Sequence, residues 1–282
     1  MAMGGGYLID LDIRKYFDTI DHGRIQEIFQ KRVRDGVLVR LIGKWLNAGV
    51  MEKKVITYPE SGVPQGGVVS PILSNLYLHE VLDTWFEFVV KPRLKGRAFM
   101  VRFADDAVLV FERQEDAGRV MTVLPKRFAR YGLKLHPDKT RLLCFRRPST
   151  KAADTERGAT FNFLGFTHFW AKSRKGYWVI KRKTAKDRFA RSLKRLSSWM
   201  REVRHQPIAE QHNTLCSKVR GHFQYYGITG NSEALSRYLY CTHRLWHKWL
   251  SRRSHASKRH WEWFDGLLKR FPLPRPAIVH SC

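Results

Sequence analysis

The chain has 282 residues, 43% of them hydrophobic, which is enough for a sizeable core in one large or two modest domains. Its 52 basic and 25 acidic residues give a net charge of +27, extreme for an ordinary soluble enzyme, which argues for a polyanionic partner. No apolar run reaches the ~20 residues of a membrane span and no signal peptide is visible, so we expect a cytoplasmic protein without a membrane partner.

The basic charge is concentrated in the C-terminal part. Residues 1–170 carry 27 basic and 19 acidic residues, whereas residues 171–282 carry 25 basic and six acidic residues. We therefore predict two domains, 1–170 and 171–282, and expect the second to engage the polyanion. The four cysteines are far apart and lack C-x-x-C spacing, which argues against zinc and against a disulfide framework.

The periodicity of the apolar residues predicts an α+β fold. We exclude residues 1–6 from the fold prediction as a start segment. The elements predicted for the first part are strand 7–13, helices 23–34 and 36–50, strand 53–58, a helix from 70 to about 86, hairpin 99–111, a helix from 114 to about 130, and strands 141–145 and 161–166. Helix 36–50 is expected to have an apolar face of Val37, Leu41, Trp45 and Leu46. In the second part, a small hairpin over 169–180 precedes a predicted bundle of helices from 184, from about 208 to 226, and from 232, the last capped by Ser232.

Two adjacent carboxylates, Asp105 and Asp106, lie between apolar, β-branched runs. The flanks are predicted strands and the Asp pair the tight turn between them, which would let both carboxylates act near one point. A divalent cation would relieve their repulsion. An isolated Asp pair is more often a solvated turn, just as Asp10 and Asp12 alone would be the polar face of a half-buried strand.

Asp12 at the end of one strand and the Asp105–Asp106 turn supply three carboxylates from separate strands. Between them lies loop 61–67, whose glycines and proline allow its backbone and Gln65 to approach a ligand closely. Three such carboxylates are what a two-metal nucleotidyl-transfer site needs. Two Mg²⁺ ions suit this site because magnesium takes oxygen ligands and keeps phosphate oxygens in its shell.

In this order, the motifs resemble those of the reverse transcriptases encoded by group II introns, which also act as RNA maturases. The motifs that carry the resemblance are residues 12–18, 61–66 with 70–75, 103–106, 132–140, 163–166 and 220–226. The resemblance implies a polymerase palm with an antiparallel sheet and packed helices over 1–170, followed by an all-helical thumb, the maturase X domain, over 171–282. Because the chain begins about where the family's fingers region ends, we expect a palm and thumb without fingers.

The resemblance also assigns catalytic roles by position. Asp12, Asp105 and Asp106 would hold the two Mg²⁺ ions, with the Ile13 carbonyl as a further metal ligand. Lys139 would donate a proton to pyrophosphate, or it is a solvated turn lysine, and both readings stay open.

Five further positions would contact substrates. Phe17 would lie under the sugar of the incoming nucleotide and exclude a 2′-hydroxyl. Gln65 and Gly66 would contact the nucleotide or the template, and Leu164 and Gly165 would support the primer end.

The implied function is that of an RNA-directed DNA polymerase in a bacterial cell. Its partners would be an RNA template or intron RNA, a DNA primer and dNTPs. A larger ribonucleoprotein, or a separate protein that supplies the fingers, would be a further partner. Lysines and arginines of the thumb would track phosphates, which predicts steep salt dependence. The alternative is a non-catalytic RNA-binding maturase module that assists intron splicing. A metal-dependent nuclease would leave Gln65, Phe17 and the thumb unexplained.

Overall fold

The computed structural model describes residues 5–47, 50–52, 55–57, 62–63, 67, 69–148, 158–254 and 260–281. The chain divides into two compact units, Met1–Ala159 and Thr160–Cys282, each with its own hydrophobic core. The predicted α+β class is confirmed, since the chain combines helices with antiparallel strands. The expectation of an all-helical domain over 171–282 is wrong for Trp178–Thr184, which is a strand. Among the described residues, none of the helices combines the length and apolar character that crossing a bilayer requires.

A four-stranded antiparallel sheet forms the base of the first unit. Its strands are β1 (Gly5–Leu11), β4 (Ala98–Phe103), β5 (Asp106–Phe111) and β6 (Arg141–Arg146), while β2 (Val50–Glu52) and β3 (Val55–Thr57) pair separately. The strand order is β4-β5-β1-β6, so β5 and β1 are central. Gly5 and Gly6 belong to β1 and pair with β6, so excluding them from the predicted fold as part of a start segment was wrong.

The helices of the first unit are α1 (His22–Gln30), α2 (Gly36–Leu46), α3 (Ser70–Leu78), which continues in wider π-type turns through His79–Thr84 and Phe86–Val90, and α4 (Gln114–Ala129). Asp21 and Asp35 begin α1 and α2 because their carboxylates accept hydrogen bonds from free backbone N–H groups of the first turn. Both helices end about four residues earlier than predicted.

The apolar face predicted for α2 is wrong at three of its four positions. Val37 is 65% exposed, and Leu41 and Trp45 are each 39% exposed, whereas Ile42 and Leu46 are buried. Helical periodicity identifies an apolar stripe, but it does not say which side of that stripe meets the neighbouring helix.

The sheet has one packed face and one face that is open along β4, although Leu8 and Val108 on that second face are buried. The packed face joins β1 and β5 to α3 and α4 in a cluster that includes Ile9, Leu11, Leu109, Phe111, Tyr77, Leu124 and Phe128. Because side chains alternate along a strand, Asp10 points to the other face, directly opposite Val108. The same face carries Phe99, Val101 and Phe103, which are 53–65% exposed. The open face is therefore apolar along β4 and acidic at the end of β1.

The second unit begins with a three-stranded antiparallel sheet of β7 (Phe161–Phe163), β8 (Phe166–Lys172) and β9 (Trp178–Thr184). In the described part of this unit, the sheet is followed by helices α5 (Lys186–Glu202), α6 (Ile208–Tyr226), α7 (Ser232–Leu250) and α8 (Trp261–Arg270). The predicted bundle core is present, and it includes Leu196, Met200, Leu215, Val219, Phe223, Leu235, Trp246 and Phe264.

Asn231 links this sheet to the bundle. It is 1% exposed, its side-chain oxygen accepts from the Thr184 backbone N–H at 3.0 Å, and its side-chain nitrogen donates to the Tyr226 carbonyl at 2.8 Å. Asn231, and not Ser232 as predicted, precedes the first residue of α7. The position selects an amide because it needs both a donor and an acceptor.

Candidate active site

The paired aspartates lie at the turn of the β4–β5 hairpin, as predicted. Phe103 and Asp106 are its last paired residues, so Ala104 and Asp105 form a two-residue turn. Ala104 has a φ of 54°, in the left-handed region that costs a non-glycine residue about 1 kcal/mol or more. Tight hairpins require such positive φ values, because only then does the turn match the twist of the strands.

The register of β1 against β5 brings Asp12 to the same end of the sheet. Leu11 pairs with Ala107, and one further step of this antiparallel register sets Asp12 opposite Asp106. Asp105 is the next residue along the turn. The backbone therefore places Asp12, Asp105 and Asp106 at one edge of the sheet, although they lie far apart in sequence.

Arg102 supports the turn, a role that the sequence analysis missed. Its guanidinium donates to the two carboxylate oxygens of Asp83 at 2.7 and 2.6 Å, to the Ala104 carbonyl at 2.9 Å and to Asn75 Oδ1 at 3.0 Å. The Arg102 and Asp83 side chains are only 13% and 23% exposed. The sequence contained a signal for this role, because an arginine in an otherwise apolar strand needs a charged or polar partner when it is buried.

The segment after α4 fixes the position of Asp12. His136 donates its backbone N–H to the Asp12 carbonyl at 2.9 Å, and the Thr140 hydroxyl donates to the same oxygen at 3.1 Å. The Lys139 ammonium lies 3.3 Å from Asp12 Oδ2, and the side chains of this pair are 61% and 35% exposed. Such an exposed pair is screened by solvent, so it is easily exchanged for another partner of Asp12.

Asp10 adds a fourth carboxylate to this face. Burial raises the pKa of Asp10 above its ordinary value, Arg141 at 3.5 Å opposes that rise, and the neighbouring Asp106 and Asp12 add to it. Asp10 therefore lies close enough to Asp12 and Asp106 for their charges to raise its pKa. Asp10 was singled out in the sequence only as a polar strand residue, and its i, i+2 spacing from Asp12 was the available signal.

Phe17 lies beside the start of the glycine-rich loop. It is half-buried in a short 3₁₀ turn, and its carbonyl accepts the backbone N–H of Val63 at 2.7 Å. Gly62 donates to the Ile20 carbonyl at 2.7 Å and has a φ of 92°. A Cβ at Gly62 would lie 2.9 Å from the Phe17 carbonyl oxygen, so only glycine fits this close approach.

Of the three remaining predicted site residues in the first unit, the structure describes one. Ile13 is 6% exposed and forms an isolated bridge with Leu135, which fixes its backbone next to Asp12. Gln65 and Gly66 lie outside the described residues.

Leu164 and Gly165 lie in the second unit, at the turn between β7 and β8. The prediction of a continuous strand over 161–166 is wrong, because both residues have positive φ values, 49° and 78°, and the chain reverses there. The Tyr225 hydroxyl donates to the Leu164 carbonyl at 3.1 Å. A Cβ at Gly165 would meet the Tyr226 hydroxyl at 3.2 Å, and the Gly165 carbonyl accepts the Ala185 backbone N–H at 2.9 Å.

The donor set at the sheet edge suits magnesium in its chemistry. In the described ranges, no three His, Cys, Asp or Glu side chains are gathered closely enough to hold a metal ion. The Asp12 carboxylate instead faces the Lys139 ammonium, at 3.3 Å. The residues present are carboxylates, which are the ligands that Mg²⁺ prefers.

Several known proteins are similar to this chain in sequence. The model of the family described as reverse transcriptase (RNA-dependent DNA polymerase) matches residues 3–168, more than half of the chain. The group II intron-encoded protein LtrA of Lactococcus lactis subsp. cremoris is 38% identical over 92 residues, which are 33% of this chain and 15% of LtrA. Protein YkfC of Escherichia coli is 37% identical over 94 residues, which are 33% of this chain and 24% of YkfC.

A putative COX1/OXI3 intron 1 protein of Saccharomyces cerevisiae is 34% identical over 98 residues, 34% of this chain and 12% of that protein. Among solved structures, apo telomerase from Candida tropicalis has a TM-score of 0.48 at 14% identity, over 95% of this chain and 46% of that one. The matched segments thus span less than a quarter of these curated relatives. The motif resemblance to group II intron proteins is confirmed at the level of sequence similarity, and the chain belongs to the reverse transcriptase (RNA-dependent DNA polymerase) family.

Proposed function

We propose that the chain is an RNA-directed DNA polymerase of the group II intron type, with a palm over residues 1–170 and an RNA-binding thumb over 171–282. The observation that carries the proposal is the meeting of Asp12 with the Asp105–Asp106 turn at one edge of an antiparallel sheet. The proposed boundary between palm and thumb, at residue 170, falls within β8. The two compact units of the structure divide earlier, between residues 159 and 160.

In this proposal, Asp12, Asp105 and Asp106 hold two Mg²⁺ ions, and the Ile13 carbonyl is a further oxygen ligand. Bound magnesium supplies activation of the primer 3′-hydroxyl and stabilisation of the leaving pyrophosphate. Lys139, now paired with Asp12, would lose that partner if the Asp12 carboxylate held a metal ion. The freed ammonium then donates a proton to pyrophosphate or remains a solvated turn lysine, and the pH dependence of extension in Lys139→Gln distinguishes the two roles.

The remaining site residues orient the substrates. Phe17 lies under the sugar and excludes a 2′-hydroxyl, and its carbonyl holds Val63 beside it through the Val63 backbone N–H. Gln65 contacts the nucleotide or template with the help of Gly66. Leu164 and Gly165 support the primer end.

The second unit supplies RNA affinity. Residues 171–282 carry 25 basic and six acidic residues, so binding of template or intron RNA is dominated by phosphate contacts and weakens steeply with salt. A DNA primer and dNTPs complete the substrates, a larger ribonucleoprotein is the proposed setting, and the proposed location is the bacterial cytoplasm.

Primer extension on an RNA template tests the proposal. Asp105→Ala should lower extension by about a thousandfold, because it removes a metal ligand that acts on transition-state charge, while RNA affinity stays unchanged. Asp138→Ala is the matched control, since Asp138 is an exposed carboxylate in a nearby turn. Binding of Mn²⁺, followed by its paramagnetic resonance signal, should weaken in Asp105→Ala only. Equal extension by the two variants would end the assignment.

The second candidate function is a non-catalytic maturase module that binds RNA and assists intron splicing. The observation in its favour is the pairing of the Asp12 carboxylate with Lys139 in place of a gathered carboxylate group. Native protein that binds RNA tightly but neither extends a primer nor binds dNTPs with Mg²⁺ would establish this alternative.

A further inference from the structure

A basic pocket lies in the second unit where α5, α6 and α7 meet. It encloses about 390 Å³, within the range of ordinary ligand sites. Arg188, Arg191 and Arg195 contribute from α5, and Lys218 contributes from α6. Spacings of three and four residues align the three arginines along one side of their helix.

Few carboxylates oppose these cations. Asp187 is the acidic neighbour, 3.7 Å from Arg188 Nε and 3.6 Å from an Arg191 guanidinium nitrogen. Its side chain is 55% exposed, so it neutralises them weakly. None of the described residues that line the pocket is acidic. The pocket is therefore strongly positive and favours an anion.

A buried polar atom in the same pocket lacks a partner. His222 lines the pocket and is 8% exposed, and its Nε2 has no hydrogen-bond partner among the described residues. Its Nδ1 lies 3.5 Å from Ser192 Oγ, which in turn lies 3.1 Å from the Tyr238 hydroxyl. Burial lowers the pKa of His222 to about 4, so at pH 7 the ring is neutral and has one N–H to donate.

We propose that this pocket is a specific phosphate site, in which Arg191, Arg195 and Lys218 hold one backbone phosphate of bound RNA and the His222 ring donates a hydrogen bond to it. The inference rests on the proposed RNA binding by this unit. A phosphate group fits because its several oxygens accept at once from guanidinium, ammonium and imidazole donors. Bound in this way, one phosphate would set the position of the RNA along the unit.

Two charge-matched variants separate this site from the general positive field. Arg195→Gln removes an exposed cation of the pocket, so the fold should be retained. Arg201→Gln removes a cation of the same helix that does not line the pocket. RNA affinity, measured by fluorescence anisotropy with a labelled RNA–DNA duplex at fixed salt, should fall about tenfold in the first variant and about twofold in the second. Equal losses would overturn the proposal.

The His222 ring gives an independent readout in the full chain labelled with ¹⁵N-histidine. Stoichiometric duplex should shift the His222 Nε2 resonance, whereas inorganic phosphate at the same concentration should not. A shift with phosphate alone would overturn the assignment to RNA in favour of a small phosphate ligand. Wild-type protein that binds no RNA would defeat the proposed function. RNA binding without a His222 shift would defeat only the pocket.

Discussion

Replacing Arg102 by lysine tests whether a guanidinium holds the Ala104–Asp105 turn in place. Lysine keeps the positive charge, but its single ammonium cannot bind both oxygens of Asp83 and the Ala104 carbonyl at the same time. In the native chain these three contacts measure 2.6–2.9 Å. The substitution therefore releases the turn that carries Asp105 while leaving the net charge unchanged.

The structure sets the size of the effect. A hydrogen bond to a charged group contributes about 1.5–3 kcal/mol, and lysine loses at least one such bond. Arg102 and Asp83 are 13% and 23% exposed, so this pair is worth more than the ~0–1 kcal/mol of a surface pair and less than the ~3–5 kcal/mol of a fully buried one. We expect the free energy of unfolding to fall by about 2–3 kcal/mol.

Urea denaturation measures that loss, and primer extension measures the displacement of the turn. The kcat should fall more than about tenfold with little change in KM, because a misplaced turn affects the transition state more than substrate binding. Arg97→Lys is the matched control, since Arg97 pairs with Glu112 at 3.2 Å but both side chains are about half exposed. Equal stability of the two variants, or a double-mutant coupling between Arg102 and Asp83 below about 0.5 kcal/mol, would refute the reasoning.

Two further predictions concern the loop anchor and acid stability. Gly62→Ala should destabilise the chain by about 1–3 kcal/mol and reduce extension, because its Cβ would lie 2.9 Å from the Phe17 carbonyl oxygen at a φ of 92°. Gly118→Ala, with open space around the new Cβ, should be neutral or stabilising in the same urea titration, and equal losses would contradict the steric argument. Lowering the pH from 7 to 5 should reduce the free energy of unfolding by about 2 kcal/mol through His222. The folded-state pKa of His222, about 4, lies below the ordinary 6.5, so its contribution to stability is present above pH 6.5 and is lost as the pH falls toward 4. His222→Phe should flatten this part of the acid dependence, and an unchanged pH profile of the urea midpoint would contradict it.

Local patterns predicted the hairpin of Asp105 and Asp106 well. The β-branched flanks of Asp105–Asp106 indicated two strands and a tight turn, and the structure has Phe103 paired with Asp106. Turn geometry depends on a few adjacent residues, so such a prediction needs no tertiary information. The alternation around Asp12 likewise predicted a strand that ends where β1 does, within two residues.

Local patterns failed where the outcome depended on a neighbour. Trp45 belongs to an apolar stripe of α2 yet is 39% exposed, because α2 packs through Ile42 and Leu46. The turn at Leu164–Gly165 was predicted as strand, since its aromatic flanks favour an extended chain. Its positive φ values are maintained with the help of the Tyr225 hydroxyl, which comes from a helix some 60 residues later.

The sequence by itself determined the reverse transcriptase motifs, the α+β class and the concentration of positive charge after residue 170, because each depends on residue type and local order. The tertiary structure alone decided which groups face those motifs. Lys139 reaches Asp12 across 127 positions of sequence, and Arg102 reaches Asp83 across 19. Such pairings follow from sheet register and from which faces pack together, and these are settled by burial summed over the whole core.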